Sequence, residues 1–404
     1  MRVLCPLVAA LLLAAALPAA AQPAATAALA GTVTDADGRP IPNVNVYIAR
    51  SQRGTATDAE GRYRLGSVPL GAHRLVASGV GYETATEDLV LRRVGETRTV
   101  DFRLAEAEFE LGEVTVESTE DAEWQRRYER FQQRFIGETA NAAETEILNP
   151  YVLDFEERRG TLTATAAEPL VIENRALGYR VRYALTDFEA RRDYNFFHGE
   201  PLFEEMAPAD PVEAVKWREN RERAYRGSSR HLLRSLLAGT AEAEGFMLYL
   251  VPNRGPGGFG GRSGLGGSRY PVEPGDLLKP AREEGDHRLT FHGVLEVVYA
   301  REEEEDAIRQ WEWNRERRAP QPVQTSQLRF PIAEDGAFLD RFGEELDPRS
   351  ITLSGYMAFE RFADELPREY GLAESGLPGA AEAVRASAEG AAEDAVPAPP
   401  GDEQ

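Results

Sequence analysis

Two nearly identical acidic hexapeptides, TDADGR at residues 34–39 and TDAEGR at residues 57–62, have the residue types of a calcium-binding loop. Such a loop places oxygen ligands at its first, third and fifth positions. Asp35 and Asp37 fit the first two, but Arg39 occupies the fifth, and the second copy also has an arginine there. Aspartate and glycine at this spacing are typical of hairpin turns, in which aspartate bonds to the local backbone and glycine adopts a positive φ. The hexapeptides therefore predict two hairpin corners.

A second group of side chains that could bind a ligand lies at a predicted corner between two helices. Asp210 caps the first helix, the proline that follows it takes the first helical position, and Gly227 ends the helix. A serine after Gly227 then caps the second helix. An isolated histidine on a helix is more often structural than functional, and the sequence supplies no orienting partner for this one. The sequence therefore identifies no binding site, and the corner supplies only candidate residues for one: Ser228, Arg230, His231 and Arg234.

Motifs for nucleophilic catalysis or nucleotide binding are missing. The sequence lacks G-x-S-x-G. GPGGFG at residues 255–260 matches the G-x-G-x-x-G pattern of a dinucleotide-binding motif, but no helix is predicted to follow it. The surrounding glycine-rich run also lacks the lysine of a phosphate-binding loop, so it predicts a flexible loop. The sequence leaves open a pair of carboxylates for glycoside hydrolysis, because the chain has 68 acidic residues and the distance between two of them is set by the fold. We predict no catalytic residue, no metal site and no cofactor.

The start of the chain and its charge predict its compartment. Residues 1–21 read as a signal peptide, with Arg2, an apolar stretch and an A-x-A cleavage site. Cys5 is the only cysteine, so the mature chain has no thiol. No later stretch is long and apolar enough for a membrane helix. We expect export to the periplasm, the outer-membrane surface or the medium, and the net charge of −22 opposes nucleic-acid binding.

The pattern of apolar residues predicts a mainly β protein. Short alternating runs separated by turn residues predict an antiparallel β-sandwich over residues 29–104. Residues 105–139 read as a linker and an amphipathic helix. Residues 140–372 predict a β-rich α+β domain that contains the helical pair, and residues 373–404 an acidic disordered tail.

Two further stretches carry expectations that a structure can test. The aromatic side chains of the predicted helix recur at helical spacing, which predicts a buried stripe. The run REEEEDAIRQWEWNRERR, at residues 301–318, predicts a charged helix or an exposed hairpin whose acids face solvent.

A family resemblance rests on several motifs of residues 31–104. They are the G-x-V-x-D-x-x-G-x-P-I-x-N-V run from Gly31 to Val44, the G-x-x-T-D-x-x-G-x-Y run from Gly54 to Tyr63, and a later Gly-Tyr pair. This stretch resembles the carboxypeptidase regulatory-like domain, a transthyretin-like sandwich found in Bacteroidota-type envelope proteins. The resemblance implies a noncatalytic accessory domain.

Residues 111–119, LGEVTVEST, are similar to the segment that follows this domain in TonB-dependent receptors. The remaining chain is too short for the plug and barrel of such a transporter, so we read the segment as a linker or an added strand. A degenerate receptor fragment stays as a third interpretation.

The zinc chemistry of carboxypeptidases is not predicted for this chain. Their metal is held by H-x-x-E and a distant histidine, because side chains must converge on one ion. No histidine begins such a motif; the five are His73, His198, His231, His287 and His292.

Two functions stay open at this point. The first is a noncatalytic binding or scaffolding protein of the bacterial envelope, with an envelope protein or a glycan as its partner and peripheral outer-membrane association as one placement. The alternative is a secreted hydrolase with a carboxylate-based site in residues 140–370.

Overall fold

The computed structural model describes residues 26–107, 118–252, 269–281, 286–311, 318–331 and 336–373, together with Ser375 and Leu377. The predicted signal peptide and the glycine-rich loop at 255–260 lie outside these residues. So does most of the predicted tail.

The first eight strands form two facing sheets that enclose the N-terminal core. They are β1 (Thr26–Thr34), β2 (Asn45–Ile48), β3 (Gly54–Ala56), β4 (Arg62–Pro69), β5 (Gly71–Ser78), β6 (Ala85–Leu91), β7 (Thr97–Thr99) and β8 (Phe102–Arg103). One sheet has the order β4-β1-β7, with β8 also paired to β1, and the other has the order β3-β2-β5-β6. Leu29, Val46 and Leu75 are fully buried between them. The predicted sandwich is confirmed, with the addition that β7 and β8 pair with β1 in parallel.

Both acidic hexapeptides form the predicted hairpin corners. Oδ1 of Asp35 accepts hydrogen bonds from the backbone nitrogens of Asp37 and Arg39 at 2.9 and 2.8 Å. Asp58 makes the equivalent pair of bonds in the second copy. The glycines of the two hexapeptides have φ angles of 82° and 71°. The aspartates therefore shape the turns by bonding to the backbone.

A long helix, α1 (Ser118–Phe135), packs its aromatic stripe on a second sheet. The strands of this sheet are β9 (Thr145–Ile147), β10 (Leu153–Arg158), β11 (Thr161–Ala166), β12 (Leu170–Asn174), β13 (Tyr179–Ala190) and β14 (Asn195–Glu205). The order is β10-β11-β13-β12-β9, and β14 pairs with β13. Phe131 and Phe135 are fully buried, and the Phe135 ring stacks on Phe362 at 4.8 Å between centroids. The predicted stripe is thus part of the core.

The helical pair packs on a third sheet. The elements that follow β14 are α2 (Pro211–Tyr225), α3 (Ser229–Ala238), β15 (Phe246–Val251), β16 (Tyr270–Pro271), α4 (Pro274–Leu277), β17 (Leu278–Pro280), β18 (His287–Leu289), β19 (Val294–Tyr299), β20 (Gln324–Arg329), β21 (Ala337–Leu339), β22 (Thr352–Gly355) and α5 (Tyr356–Phe359). The third sheet has the order β16-β15-β19-β20-β22, and β17-β18-β21 form a small sheet. Leu232, Leu233 and Leu236 of α3 are buried in the same cluster as strand residues such as Leu295. The mainly β class with a helical pair is confirmed.

The sandwich is joined to the second sheet by backbone hydrogen bonds. Ser51 and Leu202 form a parallel bridge, and the backbone nitrogen of Phe203 donates to the oxygen of Ser51 at 2.9 Å. The Tyr47 hydroxyl donates to the backbone oxygen of Glu200 at 2.8 Å. The chain after β2 therefore extends the edge of β14, which fixes the sandwich against the rest of the molecule.

The chain after α5 crosses back to the end of α1. The backbone nitrogen of Ala363 donates to the oxygen of Ile136 at 3.0 Å, and Nη1 of Arg361 donates to the oxygens of Gln133 and Arg134. Phe362 is buried in the core of the second sheet. This crossing brings acidic residues near the C-terminus close to the chain that follows α1.

Candidate functional site

The structure brings the four candidate residues of the helical corner together, but their polar atoms bond within the chain. Ser228 caps α3, since its Oγ accepts from the backbone nitrogen of His231 at 3.2 Å. The His231 ring is buried, and its Nδ1 accepts from the nitrogen of Gly227 at 3.1 Å. Its Nε2 lies 3.7 Å from Oε2 of Glu244. Burial lowers the pKa of His231 to about 4 against the raising effect of Glu244, so the ring is neutral at pH 7.

The two arginines of the corner converge on one carboxylate. Nε of Arg230 lies 2.8 Å from Oε1 of Glu344, and Nη2 of Arg234 lies 3.2 Å from the same atom. Arg234 is 1% exposed and also donates to the backbone oxygens of Phe342, Arg368 and Tyr370. Burial alone would raise the pKa of Glu344, but the surrounding arginines hold it at about 2. These contacts give the corner a structural role, as a charged lock between α3 and the C-terminal segment.

An open cavity of about 310 Å³ lies beside the C-terminal end of α2, where the chain after β19 meets the chain after α5. We call it the acidic cavity. Its acidic lining residues are Glu302, Glu303, Glu305, Glu360 and Asp364. The other polar side chains of the lining are Asn141, Arg223, Arg301, Gln324 and Tyr356. Its volume falls at the lower end of the range for small-molecule sites.

Asp364 is the most firmly held acid of the cavity. Its Oδ1 accepts from Nδ2 of Asn141 at 2.9 Å, and its Oδ2 accepts from Oγ1 of Thr139 at 2.9 Å. Burial raises its pKa to about 7; the Glu305 charge adds to the rise, whereas the bonds from Asn141 and Thr139 oppose it. Near pH 7 this carboxyl group is therefore partly protonated.

Two other acids of the cavity also hold protons near neutral pH. Burial raises the pKa of Glu302 to about 7, although Arg226 and Arg223 favour its charged form. Burial raises the pKa of Glu360 well above its ordinary value, and Asp364 and Glu305 raise it further by repulsion. Strongly perturbed carboxyl groups gathered in a cavity are typical of functional sites.

Two acceptor atoms at the cavity lack partners in the described part of the chain. Oε1 of Gln324, the first residue of β20, is buried without a hydrogen bond, and so is Oε2 of Glu302. Gln324 is 5% exposed. Both atoms are enclosed by protein, and Oε1 of Gln324 faces Gly227, where an added Cβ atom would lie 2.2 Å from it.

The sequence prediction for the acidic run was wrong for several of its residues. Glu304 is 3% exposed and lies 2.9 Å from Nη2 of Arg318, rather than facing solvent. Glu302 and Glu305 line the acidic cavity. The run REEEEDAIRQ contains a short 3₁₀ turn at Asp306–Arg309 instead of a long helix. The one sign of this arrangement in the sequence was the number of acidic residues next to a predicted buried strand. The side chains that surround these acids lie far away along the chain, so the sequence could not identify them.

A smaller crevice lies between the sandwich and the C-terminal segment, beside His73 and Arg368. Its volume is about 20 Å³, which suits one water molecule at most. Among the described residues, no group of three or more His, Cys, Asp or Glu side chains is arranged to hold a metal ion. In the same part of the chain, no helix is long and apolar enough to cross a membrane.

Comparisons with known proteins identify the N-terminal sandwich. Residues 28–105 match the carboxypeptidase regulatory-like domain family. The TonB-dependent receptor P39 of Formosa agariphila is 44% identical over 66 residues, which are 16% of this chain and 6% of that receptor. The chain thus spans a small part of the curated relative that it matches. The family resemblance predicted for residues 31–104 is confirmed.

Similarities to solved structures are distant. The catechol 1,2-dioxygenase of Acinetobacter sp. ADP1 is 15% identical, with 22% of this chain and 55% of that chain covered and a TM-score of 0.18. A protein of Bacteroides uniformis ATCC 8492 described as carbohydrate-binding is 10% identical, with 40% and 59% covered and a TM-score of 0.18. Scores this low carry no functional argument.

Proposed function

We propose that this chain is a noncatalytic binding protein of the bacterial envelope and that it binds a glycan in the acidic cavity. The single observation that carries the proposal is the cavity itself, in which acids and amides converge around about 310 Å³ of open space. A sugar unit offers hydroxyl groups that both donate and accept, which suits a lining of carboxylates, carboxyl groups, amides and arginines.

The placement in the envelope rests on the N-terminal domain. The regulatory-like domain spans residues 28–105, and a TonB-dependent receptor carries a closely similar stretch. The signal peptide predicted at residues 1–21 supports export to the periplasm, the outer-membrane surface or the medium. The net charge of −22 opposes a nucleic-acid partner. The sandwich, fixed to β14 through Ser51 and Leu202, would then position the cavity on a larger envelope assembly.

The proposal is tested with the chain that lacks residues 1–21 on an array of envelope and environmental polysaccharides. The test variant is Glu360→Gln, and the control is Glu87→Gln, which removes one exposed charge from the sandwich. Glutamine keeps the shape of Glu360 but places an NH2 group, which can only donate, where the carboxyl group has an oxygen that can also accept a hydrogen bond. We expect a retained glycan whose binding weakens about tenfold in Glu360→Gln and stays unchanged in Glu87→Gln. Retention of no glycan, or equal retention by all three proteins, would overturn the proposal.

A second candidate function is a secreted hydrolase that uses the same carboxyl groups. The observation that favours it is the pKa of about 7 of Glu302 and Asp364. A carboxyl group that keeps its proton near neutral pH can act as a general acid beside a carboxylate that acts as base or nucleophile. Release of reducing ends from the retained glycan, abolished in Asp364→Asn, would support the hydrolase. Intact glycan after prolonged incubation supports the binding protein.

A further inference from the structure

We propose that residues 378–404 of this chain dock across an exposed stripe of the small sheet, so that the protein covers one of its own interaction surfaces. The stripe takes one residue from each of four neighbouring extended segments, and its members are Lys279, Arg288, Phe338 and Leu346. None of these residues lines the acidic cavity, so the contact is independent of the glycan binding proposed above.

The register of the small sheet places the four side chains on one face. Lys279 of β17 pairs with Arg288 of β18, and Arg288 pairs with Phe338 of β21. After the turn at residues 340–344 the chain returns beside β21, and the backbone nitrogen of Leu346 donates to the oxygen of Phe338 at 3.0 Å. Directly paired residues project to the same face of a sheet, so the stripe crosses the four segments over about 15 Å.

The stripe is the open face of this sheet. The opposite face belongs to the core, where Leu339 is fully buried. Phe338 is 47% exposed and Leu346 is 44% exposed, and Phe338 is the one exposed phenylalanine among the described residues. The guanidinium of Arg288 lies over the Phe338 ring at 5.6 Å, and Lys279 is exposed on the next strand. Two apolar side chains beside two cations fit a segment that carries acids next to apolar residues.

Residues 378–404 have this composition. They contain six acids and a single arginine, and the acids Glu393 and Asp394 are followed closely by Val396. The two carboxylates can pair with the cations of the stripe while Val396 covers part of its apolar surface. The segment is therefore complementary to the stripe in both charge and apolar character.

The described chain stops beside the hairpin that carries the stripe. Leu377 is buried against Phe342, which lies in the turn between Phe338 and Leu346. Each residue of an extended chain adds about 3.3 Å, so about ten further residues span twice the length of the stripe. Residues 378–404 can therefore reach the stripe and cross it.

The overall charge favours a tethered occupant over a free one. The net charge of −22 repels a free acidic peptide and an anionic membrane alike. A tethered segment meets the same repulsion, but it loses little further translational freedom and has an effective concentration of about a millimolar. A contact too weak to retain a free peptide can then cover the stripe.

Lysine acetylation tests this contact, because the sequence has two lysines. Lys279 belongs to the stripe, and Lys216 on α2 is an exposed reference that pairs with Glu144 at 2.6 Å. Dilute acetic anhydride is applied to a longer chain, residues 22–404, and to a shorter chain, residues 22–377, and mass spectrometry gives the rate at each lysine. We expect Lys279 to react at least about threefold more slowly in the longer chain, with equal rates at Lys216. About 1 M sodium chloride should remove much of this protection.

Charge variants of the longer chain keep the test decisive if the shorter chain is unstable. Glu393→Gln combined with Asp394→Asn should raise the rate at Lys279 toward that of an uncovered lysine. The matched control, Glu83→Gln combined with Glu87→Gln, removes the same charge from exposed positions of the sandwich and should leave the protection unchanged.

A second pair of variants tests the apolar part of the stripe. Phe338→Ser should also raise the rate at Lys279 in the longer chain. Tyr151→Ser replaces a ring that is 80% exposed at another place on the surface, and it should keep the protection. Thermal unfolding confirms that both variants are folded.

Three results would overturn the inference. The first is an equal rate at Lys279 in the longer and shorter chains. The second is protection that rises with protein concentration, which would assign the stripe to a second copy of the chain. The third is equal protection of both chains by vesicles that contain anionic lipid, with no protection in their absence, which would assign the stripe to a membrane. A synthetic peptide of residues 378–404, added to the shorter chain at about a millimolar, should instead restore the protection.

Discussion

The Nδ2 atom of Asn141 donates a hydrogen bond of 2.9 Å to Oδ1 of Asp364 across 223 positions of sequence. Asn141 follows α1, and Asp364 follows α5, so this bond fastens the two ends of the larger part of the molecule to each other. It also orients one of the acids of the acidic cavity. We therefore expect the stability of the chain and the proposed ligand binding to depend on the same contact.

Replacing Asn141 with alanine should lower the free energy of unfolding by about 1–2 kcal/mol, because the buried Asp364 carboxyl loses a donor. Urea unfolding followed by circular dichroism measures this change. The matched control is Gln125→Ala on the exposed side of α1, where we expect a change within about 0.5 kcal/mol. Equal stability of Asn141→Ala and the unaltered chain would show that the bond does not hold the segment.

The acidic cavity should make the protein less stable as the pH rises toward 7. Burial raises the pKa of Asp364 from 3.8 to about 7, so between these values the folded state holds a proton that the unfolded chain has lost. The stability from this group is complete below about pH 4 and is lost by about pH 7. Urea unfolding at pH 5 and at pH 7.5 tests the sign. Asp364→Asn should lose less stability over this interval than the unaltered chain, and parallel losses would refute the assignment.

Removing the guanidinium of Arg234 should be among the most damaging single changes. Arg234→Ala leaves Glu344 with less compensation and frees three backbone oxygens, at an expected cost of about 3–5 kcal/mol. The comparison is Arg39→Ala, whose side chain is 74% exposed and pairs with acids at the first hairpin corner; little change is expected there. Thermal and urea unfolding measure both variants. A mild effect at Arg234 would mean that the lock is dispensable.

Gly178 should tolerate no side chain. Its φ is 71°, and a Cβ atom there would lie 2.2 Å from Cδ2 of the Trp217 ring. Gly178→Ala should therefore cost about 3 kcal/mol or more, because a bulky ring held by a hydrogen bond to Arg175 must move. Gly160→Ala separates the backbone effect from the clash, since φ is 81° there and nothing lies within 4 Å; we expect about 1 kcal/mol. Equal costs would contradict the steric explanation.

The sequence predicted features whose causes lie close together in the chain. The corners at Asp35 and Asp58 depend on residues within four positions, and the aromatic stripe of α1 follows from helical periodicity. The acidic cavity could not be predicted in this way. Glu302 is enclosed by α2 and by the chain after α5, and Asp364 takes its donors from residues more than two hundred positions away. Whether an acid in such a run faces solvent or a cavity is decided by segments that no local pattern identifies.

The corner at His231 illustrates the opposite limit. Sequence proximity placed Ser228, Arg230, His231 and Arg234 together, and they are together in the structure. Their partners are a helix terminus, backbone oxygens and Glu344. Serine, arginine and histidine side chains occur both in binding sites and in buried networks that hold a fold together. The two cases differ in whether the chain itself provides hydrogen-bond and charge partners for them.

Hydrogen exchange with and without the tightest-binding glycan of the array tests the central claim most directly, because it locates the bound ligand. If the glycan occupies the acidic cavity, amide exchange should slow at residues 301–305 and 356–364 and stay unchanged in the sandwich strands β5 and β6. The Glu360→Gln variant should lose that protection at the same glycan concentration. Protection confined to the sandwich, or protection that persists fully in Glu360→Gln, would contradict the account.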